Sequence, residues 1–134
     1  MSENLDLVRS IYADWERGNF GSAPWAHPKI QFVIVGGPDP GYWTGIAGMS
    51  DGWHRFLGAW EALRVAADDY RELDPGRVLV LIHRSGHGRR SGLGVEQLGS
   101  KAADLFHIDS GMVTRLVHYW DRDRALADLG LKDG

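Results

Sequence analysis

Apolar residues near the start of the chain recur at the 3.6-residue spacing of an α-helix, and Gly18 follows the last of them. These apolar positions are Leu5, Val8, Ile11, Tyr12 and Trp15. Residues 30–35 form an apolar, largely β-branched run that predicts a buried strand. Helical spacing returns from Ser50, a candidate N-cap, as far as Leu63 and predicts a second helix. The glycine-rich segment 36–41 between them is interpreted as a flap.

The second half of the chain changes to the two-residue alternation of β-strands. The pattern predicts strands over 65–73, 77–87, 95–108 and 112–120, with turns at 74–76, 89–92 and 109–111. The last turn is interpreted as a three-residue hairpin loop with Gly111 in the left-handed bulge position. A short helix over 122–129 closes the chain. This order indicates an α+β fold in which helices cover one face of a curved antiparallel sheet.

Composition narrows the class of protein. A chain of 134 residues with 43% hydrophobic and 25% charged residues is typical of one globular domain, here 1–134. A net charge of −3 without a run of like charges gives no reason to expect nucleic acid or a membrane as a partner. The absence of cysteine excludes disulfides and thiolate chemistry. No secretory signal is recognisable, which predicts a cytoplasmic protein.

Short motifs along nearly the whole chain resemble one family. They include Trp15-Glu16-Arg17-Gly18-Asn19, Ala26-His27-Pro28, Ile108-Asp109-Ser110-Gly111 and the segment 119–126. With these motifs the chain resembles the SnoaL-like group of the NTF2-like superfamily. The resemblance implies a cone-shaped α+β barrel in which a curved antiparallel sheet packs against N-terminal helices around an apolar pocket, and a homodimer formed through the sheet. Relatives include ketosteroid isomerases, polyketide cyclases, limonene epoxide hydrolases and plain binding domains, so the resemblance leaves the activity open.

Two polar residues fall on apolar strand faces. Asp104 lies between Ala102 and Phe106 on an apolar strand face. A carboxyl group buried there must accept hydrogen bonds, pair with a cation or have a raised pKa. His118 shares the corresponding face of the next strand. With a three-residue loop, Asp104 faces Leu116 and lies diagonal to His118, about 7–8 Å away. That separation predicts a ligand or water shared by the two side chains.

The resemblance implies roles for both residues. Asp104 resembles the acid that ketosteroid isomerases use in their oxyanion hole, where a protonated carboxyl donates a hydrogen bond. His118 matches the position of an acid in related epoxide hydrolases and cyclases, and its side chain suits a general base. Purely structural roles stay open, namely an aspartate paired with an arginine and a buried histidine satisfied by a backbone carbonyl. The chain departs from the isomerase pattern at Ile11, which lies near the usual tyrosine.

Arg84 is the third candidate, because it shares the face of Val78, Val80 and Ile82. Its guanidinium lies either inside, where it neutralises Asp104 or orients a substrate carbonyl, or at the rim in water. His83 and His87 are about 13 Å apart along a strand, too far for one ion, so no metal is expected. No cofactor is expected either, because the proposed chemistry is proton transfer. The candidate walls of the pocket are Trp15, Tyr42, Trp43, Trp53, Phe106 and Trp120.

Together these observations predict a pocket protein for an apolar polycyclic or terpenoid-like ligand. The main hypothesis is a cofactor-independent acid/base enzyme of the isomerase or cyclase type, with His118 as acid/base and Asp104 as its polar partner. The alternatives are a ligand carrier that performs no reaction, an epoxide hydrolase, and a dimerisation module with a filled core. The substrate and the type of reaction are beyond the reach of the sequence.

Overall fold

The computed structural model describes residues 3–17, 24–36, 40–58, 60–88 and 101–131, and at 55–58, 60–64 and 85–88 it describes the backbone alone. The three helices are α1 (Glu3–Glu16), α2 (Gly45–Gly58) and α3 (Arg122–Asp128). The six strands are β1 (Ala26–Val35), β2 (Gly41–Thr44), β3 (Trp60–Asp74), β4 (Arg77–Gly88), β5 (Lys101–Asp109) and β6 (Met112–Tyr119). The predicted turn at 89–92 and the predicted strand residues 95–100 lie outside the described ranges.

The strands form one sheet in the order β2-β1-β6-β5-β4-β3, with β2 and β3 at its edges. The predicted α+β class is confirmed, but the expectation of a purely antiparallel sheet is wrong. β1 and β6 pair in parallel, with Phe32 opposite Leu116 and Ile34 opposite His118. Parallel neighbours need a long crossover, and here the crossover is the whole chain between the first and last strands. Sequence periodicity carries no information on such a distant pairing.

Both faces of the sheet are covered. One face packs against α1 and α2, and its core includes Val80, Phe106 and Leu116. α1 contributes its predicted apolar stripe, in which Val8, Ile11, Tyr12 and Trp15 are all buried. The opposite face carries a second apolar cluster, including Leu79, Leu105 and Val117, that packs against α3. Because side chains alternate between faces along a strand, β1, β4, β5 and β6 each supply residues to both clusters.

The β5–β6 hairpin differs from its predicted form. Ser110 and Gly111 both have positive φ (51° and 78°) and make a two-residue turn, so Asp109 pairs with Met112. One extra residue in β6, Thr114, then forms a bulge, and its hydroxyl donates to the His107 carbonyl (3.2 Å). The shorter turn and the bulge together shift the pairing by two residues. Past the bulge, His118 therefore takes the place opposite β5 that was predicted for Leu116.

The segment before the second helix also differs from the prediction. The predicted flap ends at Gly41, where β2 begins and pairs antiparallel with β1. α2 follows directly from Gly45, which has φ +81°, and not from Ser50 as predicted. It ends at Gly58, so the last four residues of the predicted helix, 60–63, belong to β3. Glycine is unfavourable in helices and strands by up to about 1 kcal/mol per residue. Because β2 and α2 both begin with a glycine, the sequence pattern did not predict where they start.

Within the described ranges, no helix combines the length and the apolarity needed to span a lipid bilayer.

Candidate active site

Asp104 of β5 and His118 of β6 lie directly opposite each other on the face that α1 and α2 cover. Each side chain is 1% exposed, and His118 Nδ1 lies 2.6 Å from Asp104 Oδ1. The predicted diagonal separation of 7–8 Å is therefore wrong. The hairpin turn and the bulge at Thr114 turn a diagonal pair into a directly bonded one.

Tyr12 of α1 completes the surroundings of the carboxylate. Its hydroxyl donates to Asp104 Oδ2, and the side chain is fully buried. Burial, followed by the negative charge of Asp104 and the hydrogen bond to it, raises the pKa of Tyr12 well above its ordinary value. Tyr12 therefore keeps its proton and acts as a donor. The sequence reading treated Tyr12 as an apolar core position and pointed to Ile11, although a tyrosine hydroxyl on a buried helix face always needs a partner.

Arg84 of β4 lies inside and not at the rim, with 2% of the residue exposed. One Nη atom donates to the carbonyl oxygen of Trp120 at 2.8 Å, and the guanidinium carbon lies 3.8 Å from the centre of the Trp120 ring. Burial lowers the pKa of Arg84 to about 10, opposed by the charge of Asp104. Arg84 is therefore still a cation at neutral pH.

The contact between Arg84 and His118 determines which nitrogen of the imidazole carries hydrogen. Arg84 Nη1 lies 3.4 Å from His118 Nε2. A guanidinium is only a donor, so this contact is a hydrogen bond in the tautomer in which Nε2 presents its lone pair and the ring hydrogen is on Nδ1. Nδ1–H then donates to Asp104 Oδ1, while Tyr12 donates to Oδ2. Asp104 then accepts with both oxygens, which disfavours its expected role as an oxyanion donor.

An imidazole held in this way has the properties of a general base. Asp104 orients the ring and stabilises the imidazolium that forms when Nε2 takes up a proton. Arg84 supplies a positive charge next to the same nitrogen, where an oxyanion formed by proton removal would be stabilised. The arrangement therefore unites a base, its orienting carboxylate and an electrophilic group at one buried point.

Aromatic rings enclose this point. The ring of Trp53 lies 6.3 Å from that of His118 and stacks on Phe32 at 5.2 Å. Trp15 packs edge-on against both Tyr12 and Trp53, at 5.0 Å and 5.2 Å. The predicted wall residues that belong to this side of the sheet are Trp15, Trp43, Trp53, Phe106 and Trp120.

Tyr42 is the predicted wall residue that the structure places elsewhere. It pairs with Val33, whose side chain packs with the cluster on the α3 side of the sheet. The Tyr42 side chain is therefore on the opposite face from His118, and 55% of the residue is exposed. Its neighbour Trp43 pairs with Phe32 and tilts against that ring at 5.6 Å. The alternation of β2 separates the two, because adjacent residues of a strand point to opposite faces.

Among the side chains that the structure describes, no group of three or more histidine, aspartate and glutamate residues is arranged to hold a metal ion. His83 instead contacts Asp68 at 2.6 Å, and the side chain of His87 lies outside the described set.

No protein-family model and no curated protein matches the sequence. Solved structures do match. An NTF2-like protein of unknown function from Burkholderia pseudomallei superimposes with a TM-score of 0.74 at 18% identity, over 95% of this chain and 97% of that chain. A protein assigned as a SnoaL-like polyketide cyclase, from Jannaschia, gives 0.70 at 14% identity, over 87% and 83%. TerC, co-crystallised with polyporic acid, gives 0.70 at 20% identity, over 96% and 98%. The chain therefore has the NTF2-like fold that the sequence motifs implied.

Proposed function

We propose that this NTF2-like protein is a cofactor-independent acid/base enzyme that moves a proton on an apolar, carbonyl-bearing small molecule, as an isomerase or a cyclase does. The observation that carries the proposal is the buried hydrogen-bonded pair of Asp104 and His118, with Arg84 Nη1 3.4 Å from the imidazole Nε2. Burying charged groups costs free energy of folding, and buried clusters of titratable groups are concentrated at functional sites.

The proposed reaction begins at a carbon next to a carbonyl group. The carbonyl oxygen accepts the Arg84 N–H that contacts His118 Nε2 in the structure, which leaves the Nε2 lone pair to the carbon. His118 Nε2 accepts the proton from that carbon, and the electron pair of the broken C–H bond moves onto the carbonyl oxygen to give an enolate. Arg84 stabilises the enolate oxygen, and Asp104 stabilises the imidazolium. In an isomerase, His118 returns the proton to a different carbon. In a cyclase, the enolate carbon attacks a second carbonyl group within the same molecule, and the imidazolium protonates the new alkoxide.

The substrate class follows from the surroundings of His118. Trp53 and Trp120 present flat apolar rings next to the polar centre, which suits a polycyclic or terpenoid-like molecule carrying few polar groups. Two neighbours in fold agree with this class, since one is assigned as a polyketide cyclase and another was co-crystallised with polyporic acid. The homodimer and the cytoplasmic location stay predictions.

The test uses His118→Ala in a screen of isomerisable enones, cyclisable polyketide-like esters and epoxides. We expect turnover to fall by about 10² to 10⁴, the usual contribution of a positioned proton-transfer group, while ligand affinity changes by less than about tenfold. His54→Ala is the matched control, because His54 is an exposed histidine of α2 whose described hydrogen-bond contact is with Ser50. Undiminished turnover in His118→Ala would refute the role of His118. Binding at micromolar concentration without turnover would indicate a carrier, and turnover of epoxides alone an epoxide hydrolase.

Asp104→Asn distinguishes two roles of the carboxyl group. Both oxygens of Asp104 accept hydrogen bonds, from His118 and Tyr12. An amide accepts with one atom only, so its NH₂ group must face a donor, and the negative charge is lost. We expect a loss of turnover nearly as large as that of His118→Ala. A mild loss would support the oxyanion-hole role that the sequence suggested.

A further inference from the structure

Arg122, the first residue of α3, joins three strands on the outside of the candidate site. Its Nη2 donates to Asp68 Oδ2 of β3 at 2.7 Å and to the Ile82 carbonyl of β4 at 2.6 Å. Its Nε donates to the Ala102 carbonyl of β5 at 3.4 Å. The Arg122 side chain is 13% exposed and that of Asp68 36%, so the two carbonyl bonds are the better shielded from water. A planar guanidinium can bond several acceptors at once in this way, which a lysine ammonium does less well.

The two carbonyl groups belong to neighbouring residues of β4 and β5. Ile82 and Ala102 are direct partners, and the last described pair of β4 and β5 is the next one, His83 with Lys101. Arg84 comes immediately after His83 in β4 and pairs with Val65 of β3. Ile82 is two residues before Arg84, and Ala102 is two residues before Asp104. Arg122 therefore fastens both strands beside the residues that carry the site.

The same short segment also reaches the site from the inside. Trp120, two residues before Arg122, accepts the hydrogen bond from Arg84 Nη2 and lies under its guanidinium. His118 is two residues earlier again, at the end of β6. The position of Arg84 over His118 therefore depends on how the 120–122 segment is held against β4 and β5.

Asp68 provides the anchor on the third strand. It is the extra residue of a bulge in β3, between Ala67 and Asp69, and its carboxylate contacts both Arg122 and His83. Burial alone would raise the pKa of Asp68, but the hydrogen bonds from Arg122 and His83 outweigh it and lower the pKa. Asp68 is thus a negative charge that holds Arg122 in place at neutral pH.

We infer that Arg122 is a positioning residue, which acts through Ile82 of β4 and Ala102 of β5 to hold Arg84 against His118 Nε2. The inference rests on the proposed function of the His118 site. Arg122 bonds to β3, β4 and β5, so it acts on the chemistry by fixing Arg84 and hence the hydrogen position on His118. A displacement of about 1 Å at a reacting group costs on the order of 100-fold in rate.

The experiment follows His118 directly by imidazole ¹⁵N NMR, with the signals assigned by comparison with His118→Gln. The nitrogen shifts distinguish the Nδ1–H form, the Nε2–H form and the doubly protonated ring. We expect the Nδ1–H form in the wild type and a mixture of forms in Arg122→Gln at the same neutral pH. Arg124→Gln is the matched control, because Arg124 is an exposed arginine of the same helix that pairs with Asp128 at 3.1 Å.

Activity provides a second measurement once a substrate is found. We expect turnover to fall about 10- to 100-fold in Arg122→Gln, with its pH profile altered, and to stay at the wild-type level in Arg124→Gln. An unchanged His118 spectrum in Arg122→Gln would overturn the inference, whether or not the protein is an enzyme. A changed spectrum in a protein without any turnover would support the positioning role and contradict the proposed function.

Asp68→Asn keeps the test decisive if Arg122→Gln does not fold. This variant leaves Arg122 and both carbonyl bonds in place but removes the anchoring charge. We expect a smaller change of the His118 spectrum in the same direction. A fully folded Asp68→Asn variant with a wild-type spectrum would count against the inference.

Discussion

The hydroxyl group of Tyr12 offers the sharpest test of the buried network. Tyr12→Phe removes one oxygen atom from a fully buried side chain and leaves the ring in place. Asp104 Oδ2 then loses the donor that Tyr12 provides, while Oδ1 keeps its bond from His118. A hydrogen bond to a charged group contributes about 1.5–3 kcal/mol net, and leaving the acceptor buried makes the upper part of this range the better guide. We therefore expect the free energy of unfolding to fall by about 2–3 kcal/mol.

Urea denaturation measures this loss directly. With a slope of about 1.5 kcal/mol per molar urea, the midpoint should fall by about 1.3–2 M with an unchanged slope. Tyr70→Phe is the matched control, because Tyr70 packs edge-on against Tyr12 at 6.0 Å but is only partly buried. Removing its hydroxyl should change the stability by less than about 0.5 kcal/mol.

A double-mutant cycle with Asp104→Asn then separates the bond from other effects of each substitution. If Tyr12 stabilises the protein through Asp104, the two losses are not additive and the coupling is about 1 kcal/mol or more. The reasoning is refuted if Tyr12→Phe is as stable as the Tyr70→Phe control. It is equally refuted if the two losses simply add.

Two further predictions concern other parts of the sheet. Burial, followed by the charges of Arg115 and Arg77, lowers the pKa of His107 in the folded protein. The folded protein therefore binds this proton less readily than the unfolded chain, whose histidine pKa is about 6.5. The free energy of unfolding is therefore highest above pH 6.5 and decreases as the pH falls below it. His107→Gln should flatten the stability profile in that range, and an unchanged slope in urea titrations would contradict this. A Cβ atom at Gly52 would lie 2.7 Å from Trp43 Cδ2, so Gly52→Ala should cost about 1–3 kcal/mol despite the better helix propensity of alanine. Thermal unfolding should show the loss relieved in a Trp43→Leu background, and an equal loss in both backgrounds would exclude the clash.

The periodicity of the sequence determined the elements that bury a continuous apolar face. α1 runs over the predicted apolar stripe, and the hairpin of β5 and β6 turns at Ser110 and Gly111. The faces of Asp104 and His118 were also correct, because alternation along a strand depends only on local geometry. Even the error in register preserved the faces, since the shift of two residues equals the period of the strand.

Only the tertiary structure decided which polar groups meet. The bulge at Thr114 moved His118 opposite Asp104, and α1 brought in Tyr12 from 92 residues away along the chain. The alternation of β4 allows Arg84 to lie either at the rim or in the interior. Its side chain is buried because the Trp120 ring stacks on the guanidinium. These contacts depend on register, on crossover pairing and on packing between distant segments. Their free energies depend on the whole fold, so a local pattern of apolar and polar residues does not predict them.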